Sequence, residues 1–366
     1  MAISIMDEQS GRAGRDHRER VRQAFTAPGE FTTSPLYRSL SATVAGNEAL
    51  IDLAASGRPG QYPTFLFFGA VHHLLLTGVQ DPLGAFFPSV VGPGGEVRAA
   101  EDAGPALVAF CGRYEAELRT VIAGRLVQTN QVQRSLGLRF GLAAIASELG
   151  DRPVHLIEVG ASAGLNLRFD RYGYRLGGRS FGDAGSPVQL EAELLGEGVL
   201  PDLDVLPALA SVRGVDLNPV DVRDAEDRAW LKALVWPENH DQRLLLSAAL
   251  DLVAADPPQI LGGDAIDVLP ALAASLPAGE PRVVFHSATR MHVPADRLAA
   301  FDAAIAGLGE SGPLWRLSVE DAPNPDPRPD PSRGGASLHL RAPDGTTRDL
   351  AVVEGHLRWL ETLPGS

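Results

Sequence analysis

The run Val154-His155-Leu156-Ile157-Glu158-Val159-Gly160-Ala161-Ser162-Ala163-Gly164-Leu165-Asn166-Leu167 restricts the folds open to this chain more than any other stretch. A short apolar run ends near a carboxylate, passes into small residues and resumes as an apolar segment. That pattern reads as a buried parallel strand, a tight turn and the start of a helix. Small side chains at Gly160, Ala161, Ser162, Ala163 and Gly164 let a ligand lie against the backbone, with unpaired helix amides directed at it. The plain alternative is a tight turn with no ligand. Against it, a carboxylate closing a buried strand is costly to hold without a partner.

Three known turns compete for this stretch. The dinucleotide fingerprint G-x-G-x-x-G fits poorly, because Ser162 stands at its second glycine and the last glycine comes one residue early. Gly160 to Gly164 does match G-x-S-x-G, the nucleophile elbow of α/β-hydrolases. The stretch also resembles the first motif of class I S-adenosylmethionine-dependent methyltransferases, an acidic residue followed by G-x-G-x-G. Glu158, Gly160 and Gly164 fit that motif, with Ser162 in place of the middle glycine.

At 366 residues and 45% apolar content, the chain has material for two domains, or for one large domain with an extension. No apolar run approaches the roughly 18 residues of a membrane span, and residues 1–6 are too short an apolar patch for a secretory signal. The single Cys111 excludes an internal disulfide and a cysteine-based zinc site. A cytoplasmic location with no membrane partner is the expectation. A net charge of −14 argues against a nucleic-acid partner, which requires a basic face. The same acidity favours a neutral or cationic small molecule as substrate. Lys232 is the only lysine, which disfavours Schiff-base chemistry. Oligomeric state is not legible.

Residues 1–15 read as a leader. Residues 1–150 are expected to form a helical N-terminal domain or cap, punctuated at Pro28-Gly29, Gly57-Arg58-Pro59-Gly60 and Gly92-Pro93-Gly94-Gly95. His72-His73 reads as a packed helical pair, since adjacent residues do not share a helix face. Gln128-Thr129-Asn130-Gln131-Val132-Gln133-Arg134 is amide-rich. It reads equally as an exposed helix start and as a segment whose amides and Arg134 face the cleft.

Residues 151–366 read as a Rossmann-like domain with a hairpin insertion near 170–195. Beyond the insertion, Val212-Arg213-Gly214-Val215-Asp216-Leu217-Asn218-Pro219 and Gln259-Ile260-Leu261-Gly262-Gly263-Asp264-Ala265 repeat the theme of an apolar run meeting an acid. Two more strands are expected at 282–287 and 315–320, and a helix at 296–308. The Pro-rich 323–331 reads as loop, and the alternating segments 336–341 and 348–353 as an antiparallel pair around Pro343-Asp344-Gly345. Strands alternating with helices imply a mostly parallel sheet that binds ligands at the carboxyl ends of its strands.

Several segments together resemble a bacterial domain-of-unknown-function family regarded as methyltransferase-like. They are Glu158 through Leu167, Asp170-Arg171-Tyr172, Gln128-Thr129-Asn130, Arg213 through Pro219, Trp236-Pro237 and His286-Ser287. The pattern differs at Met291-His292, where an aromatic is expected, and at Glu354-Gly355-His356, where Pro-His-Gly is usual.

The class I resemblance implies an α/β fold with a mostly parallel seven-stranded sheet and an antiparallel terminal pair. It also implies S-adenosylmethionine as cofactor and a small-molecule acceptor. Glu158, Gly160, Ala161, Ser162, Gly164 and Asn166 would then hold the methionine part, Asp216 and Leu217 the ribose end, and Asp264-Ala265 the adenine edge. His286, at the end of the fourth strand, is the candidate general base. Arg134, Asp170, Tyr172, Ser287 and His292 are candidates for the acceptor pocket.

Two alternatives stay open. One is a hydrolase with Ser162 as nucleophile, Asp264 as acid and His286 as base, although no strands and no His-Gly-Gly loop precede the elbow. The other is a non-catalytic protein that keeps the fold as a scaffold or ligand sensor. No metal site is expected.

Overall fold

The computed structural model of the chain describes residues 16–26, 31–58, 60–128, 130–320 and 335–363. The expected leader at 1–15, the Pro28-Gly29 break and the Pro-rich 323–331 lie outside these residues. The chain divides into two compact units. One takes the described residues up to 128 together with Asp224–Leu244. The other takes the described residues from 130 to 223 and from 245 onward.

The first unit is helical. It contains α1 (16–26), α2 (Pro35–Ala45), α3 (Glu48–Ala54), α4 (Pro63–Leu76), α5 (Pro88–Val91), α6 (Ala103–Arg113) and α7 (Glu115–Gly124). Local chemistry sets the boundaries. Ser34 caps α2 by accepting from the Tyr37 amide, and Asn47 caps α3. Pro35 and Pro63 occupy first helical positions, where no amide is needed. α4 is buried nearly all round, as its run of Leu66, Phe67, Phe68, Ala70 and Val71 requires. Helix α8 (Ser135–Leu149) belongs to the second unit, but the chain returns to the first with α9 (Ala225–Ala233). There Gly69 of α4 admits Trp230 and Leu234, and a Cβ at that glycine would lie 2.9 Å from Leu234. His72 is buried between Ala233 O (2.9 Å) and Ser89 Oγ (2.6 Å), and burial pushes its pKa down to about 3. A neutral, doubly bonded imidazole is a packing element.

The second unit is a mixed α/β assembly around one sheet. Its strands are β1 (Val154–Val159), β2 (Gly173–Leu176), β3 (Arg179–Gly182), β4 (Gln189–Leu195), β5 (Leu209–Asp216), β6 (Gln259–Gly262), β7 (Arg282–Ser287), β8 (Leu314–Glu320), β9 (Ala336–Arg341), β10 (Thr347–Val353) and β11 (Trp359–Thr362). Helix α10 (His240–Ala255) precedes β6, α11 (Ala265–Ser275) precedes β7 and α12 (Leu298–Gly307) precedes β8. The spatial order is β3-β2-β4-β11-β10-β9-β8-β7-β1-β5-β6. No strand precedes Val154 among the described residues, and β1 is interior, paired parallel with β5 and β7.

The expected count of seven strands is corrected to eleven. The additional strands are the hairpin β2–β3 with β4, and β11. β4 pairs parallel with β11 and so joins the insertion to the main sheet. β2, β3 and β4 fall within the expected insertion at 170–195, whereas β11 spans four residues, too short to give a period that separates strand from turn.

Both faces of the parallel region are covered, which explains why all six residues of β1 are buried. On one face Ile157, Val159 and Val284 pack against Leu269 and Leu272 of α11 and Phe301 and Ile305 of α12. On the other, α8 approaches β8 through glycines. A Cβ at Gly137 would lie 3.1 Å from Val319, and one at Gly141 would lie 2.7 Å from Leu317. The N-terminal end of α8 therefore points to the carboxyl end of the sheet.

Candidate functional site

The order β6-β5-β1-β7-β8 grows outward from β1 in both directions. In open parallel sheets that reversal opens a crevice beyond the carboxyl ends of the two strands flanking it, here β1 and β7. The loops that follow them touch. Gly160 has φ +81°, and a Cβ there would lie 2.2 Å from Thr289 Oγ1 in the loop after β7. Ser162 (φ +48°) and Ala288 (φ +46°) also adopt left-handed backbone, one in each loop. Such strain in non-glycine residues concentrates at functional sites.

The turn differs from the expected anion cradle. The Gly160 and Ala161 amides donate to Val215 O at 2.8 and 3.2 Å, and the Ser162 amide donates to Asp216 Oδ2 at 2.7 Å. The chain then enters a six-residue 3-10 segment, Asn166–Arg171, in place of an α-helix. The turn curls onto the end of β5, so its amides serve the fold and are not aimed at a ligand. What faces the crevice instead is side-chain chemistry.

Glu158 is 2% exposed. Its Oε1 accepts from Asn166 Nδ2 at 2.8 Å, while Glu158 Oε2 and Asn166 Oδ1 are buried without a hydrogen-bond partner among the described residues. Burial raises the Glu158 pKa to about 8, against the opposing effects of the Asn166 bond and the Arg134 charge. Asp216 closes the neighbouring strand, its Oδ1 accepting from the Asn218 amide at 2.8 Å; burial raises its pKa and the two amide bonds oppose the shift. Leu217 beside it is 73% exposed. Asp264 caps α11, accepting from the Ile266 amide at 2.9 Å, and pairs with Arg297 at 2.6 Å; Ala265 opens the helix.

His286 lies on the opposite face of β7 from Ser287, against Phe301 of α12. Its Nδ1 is 2.7 Å from Glu320 Oε1, and its Nε2 is 2.9 Å from Arg316 Nε. Arginine only donates, so Nε2 accepts and Nδ1 carries the proton. Both nitrogens are engaged, and burial lowers the pKa, so the ring is neutral and has no lone pair turned to a substrate. Glu320 Oε1 also accepts from the Thr289 and Arg290 amides, both at 3.0 Å. The histidine thus belongs to a clamp that shapes the loop after β7. Its general-base role and the hydrolase triad both conflict with this bonding, since Asp264 is occupied by Arg297 as well.

Of the acceptor-pocket candidates, Ser287 has a buried Oγ with no partner among the described residues. Tyr172 is wholly buried and donates to Leu165 O at 2.7 Å, which braces the turn; Asp170 is exposed beside Arg171. Arg134 donates through Nε to Gly355 O at 2.9 Å, and His292 ends an exposed turn. Asn130 Nδ2 donates to Ser162 Oγ at 3.0 Å, which brings the amide-rich segment to the turn. Sequence reasoning missed Thr289, Glu320 and Arg316, which lie in ordinary strand and loop sequence.

Among the described residues no group of three or more His, Cys, Asp or Glu is placed to hold a metal ion, and no helix is long and apolar enough to cross a membrane. The sequence model of a protein family described as "Uncharacterized protein conserved in bacteria (DUF2332)" matches residues 21–362. No curated protein and no solved structure matches the chain.

Proposed function

We propose that this chain, which belongs to the DUF2332 family of uncharacterized bacterial proteins, is an S-adenosylmethionine-dependent methyltransferase acting on a small molecule. One observation carries the reading. At the switch point of the sheet, two adjacent buried acceptors, Glu158 Oε2 and Asn166 Oδ1, lack a donor among the described residues. Buried acceptors left in this way cost on the order of 1–3 kcal/mol each, so they call for a donor-rich ligand group such as an ammonium.

The remaining residues fit the same ligand. Asp216 is held by two backbone amides at the end of β5, which orients its carboxylate as an acceptor for a ribose diol. Exposed Leu217 offers an apolar surface to a flat base. Asp264 is committed to its cap and to Arg297, so the far edge of the base falls to the backbone at Asp264-Ala265. Bound there, the sulfonium supplies an activated methyl group.

The protein's own contribution is then orientation and exclusion of water. Glu158 and Asn166 fix the ammonium end and Asp216 the ribose. The Glu320–His286 clamp holds the loop bearing Ser287 and Thr289 against Gly160. His286 enters as a positioning residue.

Calorimetric titration with S-adenosylhomocysteine tests this reading. An ammonium favours ionised Glu158, so affinity should rise with pH up to about 8, where free Glu158 ionises. Glu158→Gln should weaken binding about tenfold or more and flatten that rise, since hydrogen bonds to charged groups contribute about 1.5–3 kcal/mol. No binding at millimolar ligand, or an unchanged Glu158→Gln profile, refutes the reading. Binding with no transfer to any acceptor pool points to the scaffold or sensor alternative.

A further inference from the structure

A second chain of polar side chains lies at the opposite end of the sheet from the crevice. His155 stands at the start of β1, Ser211 lies near the amino end of β5, and Glu280 precedes β7. His155 Nδ1 is 2.7 Å from Ser211 Oγ, and its Nε2 is 2.6 Å from Glu280 Oε2. A carboxylate only accepts, so in the neutral ring Nε2 carries the proton and the Nδ1 lone pair accepts from the serine hydroxyl. The hydroxyl thus donates to a base, and the base donates to an acid. These are the roles of a nucleophile, a general base and the acid that orients it, with the two ring nitrogens exchanged relative to the usual serine triad.

The backbone is adapted to this contact. β1 and β5 pair with Val154 opposite Leu209 but His155 opposite Ser211, so Ala210 is an extra residue in β5. Side chains alternate along a strand; without that bulge Ala210 would stand beside His155, and Ser211 would turn to the other side of the sheet. Bulges that re-aim a side chain are over-represented next to active sites. Glu280 is fixed through its own backbone. The His155 amide donates to Pro281 O at 2.9 Å and the Gly279 amide to Ser311 O at 2.6 Å, while a Cβ at Gly312 would lie 2.4 Å from Glu280 O. Arg282, opposite His155 in register, is wholly buried and turned to the carbonyls of Leu308 and Pro277, which leaves the Glu280 carboxylate to the histidine.

A chain that only filled the core would be sealed at both ends. Here His155 is 6% exposed, whereas the Glu280 side chain is 44% exposed and Ser211 is partly exposed. The base is shielded, and the hydroxyl stands where a small molecule reaches it. β6 begins opposite Arg213, so residues 209–212 pair with β1 alone among the described strands. That open edge offers backbone N–H groups beside Ser211, the kind of donor an oxyanion requires.

We propose that Ser211, His155 and Glu280 form a second reactive centre, in which Ser211 takes the acyl group of small carboxylic esters. Ser211 Oγ bonds to the ester carbonyl carbon as its proton passes to His155 Nδ1. The bond from that carbon to the alkoxide then breaks, and the leaving alkoxide takes the proton from Nδ1, giving acyl-Ser211 and a free alcohol. Water attacks the acyl group by the same route, releasing the carboxylic acid and restoring the hydroxyl. Ser211 and His155 are the catalytic residues; Glu280 is a positioning residue that holds the Nε2–H tautomer. By strand rise, His155 lies about 13 Å along β1 from Val159, so this centre is separate from the crevice and does not depend on the cofactor reading.

The test uses the full-length protein with p-nitrophenyl acetate as substrate and a fluorophosphonate as trap, whose phosphorus bonds to the serine Oγ with loss of fluoride. Peptide mapping by mass spectrometry is expected to place the phosphonate on Ser211, and Ser211→Ala should remove ester turnover above the uncatalysed rate. His155→Gln should slow trapping about a hundredfold or more, since a general base contributes about 10²–10⁴-fold. Glu280→Gln presents an N–H to Nε2 and favours the wrong tautomer, so it should slow trapping about tenfold or more. In both variants the loss should fall on the maximal trapping rate and leave the half-saturating trap concentration within about threefold, a split that a general loss of structure does not give. Circular dichroism checks folding; if His155→Gln does not fold, Glu280→Gln at the exposed end of the chain carries the test. Label on Ser162 or elsewhere with Ser211 unmodified overturns the proposal, and so does a smaller effect in either folded variant.

Discussion

Glu158 concentrates the conflict between folding and function in one side chain. It sits on a fully buried strand with one oxygen bonded to Asn166 and the other without a partner among the described residues. Its pKa is about 8 in the folded state against an ordinary 4.5. Between those values the folded protein keeps a proton that the unfolded chain has lost, so stability falls as pH rises through this window. The slope from this one group is at most about 1.4 kcal/mol per pH unit. Glu158→Gln imitates the protonated form and should remove that slope. Urea denaturation is expected to show the variant more stable than the parent at pH 8.5, by a few kcal/mol at most, and nearly equal to it at pH 4.5. Equal stability at both pH values would mean that water reaches the carboxylate in the native state.

At the level of elements, the crevice is built by two loops locked at one contact. Gly160 leaves room for Thr289, and Thr289 in turn donates to Val159 O at 3.2 Å. The loop after β7 is fixed from behind by Glu320. Gly160→Ala inserts a methyl group into the threonine and also forces alanine to φ +81°. Overpacking of this kind costs about 1–3 kcal/mol, with about 1–2 kcal/mol more for the left-handed backbone. Removing the Thr289 side chain should relieve the steric part alone. A double-mutant cycle with Thr289→Ala is therefore expected to show a coupling of about 1 kcal/mol or more by thermal denaturation. Strict additivity would mean that the backbone conformation carries the whole cost.

On the scale of the whole molecule, the helical unit is discontinuous in sequence. Its core includes Trp230 of α9 and Leu234 just after it, and the Trp230 indole donates to Leu126 O at 2.8 Å. Arg125 and Asp227 form an ion pair across the same join. A fragment ending at residue 150 lacks α9 and exposes the surface that Gly69 opens for it. Deleting two such large apolar side chains from a core costs several kcal/mol, comparable to the total stability of a domain, about 5–15 kcal/mol. The fragment 1–150 should show a broad, weakly cooperative thermal transition by circular dichroism. Residues 1–129 joined by a flexible linker to 224–244 should recover a sharp one. A sharp transition in the fragment 1–150 would show that α9 is dispensable to this core.

The sequence by itself determined the strands that meet acids. The runs ending at Glu158 and Asp216, and the one leading to Asp264, are written locally, because a buried parallel strand needs consecutive apolar residues and the acid comes next in the chain. The helical first half was legible for the same reason: periodicity and caps such as Ser34 act within a few residues. What the acids do was decided only by tertiary structure. Asp216 is turned onto the Ser162 amide 54 residues away, and Asp264 onto Arg297 33 residues away, while Glu158 keeps one oxygen without a partner among the described residues. The bonding of His286 was out of reach for the same reason, since Arg316 and Glu320 lie 30 and 34 residues on, brought alongside by the β7–β8 register. The joining of β4 to β11 spans still more chain. Hydrophobic pattern specifies which segments are buried, but strand register and long-range side-chain partners depend on how those segments pack, and no local run of residues encodes that.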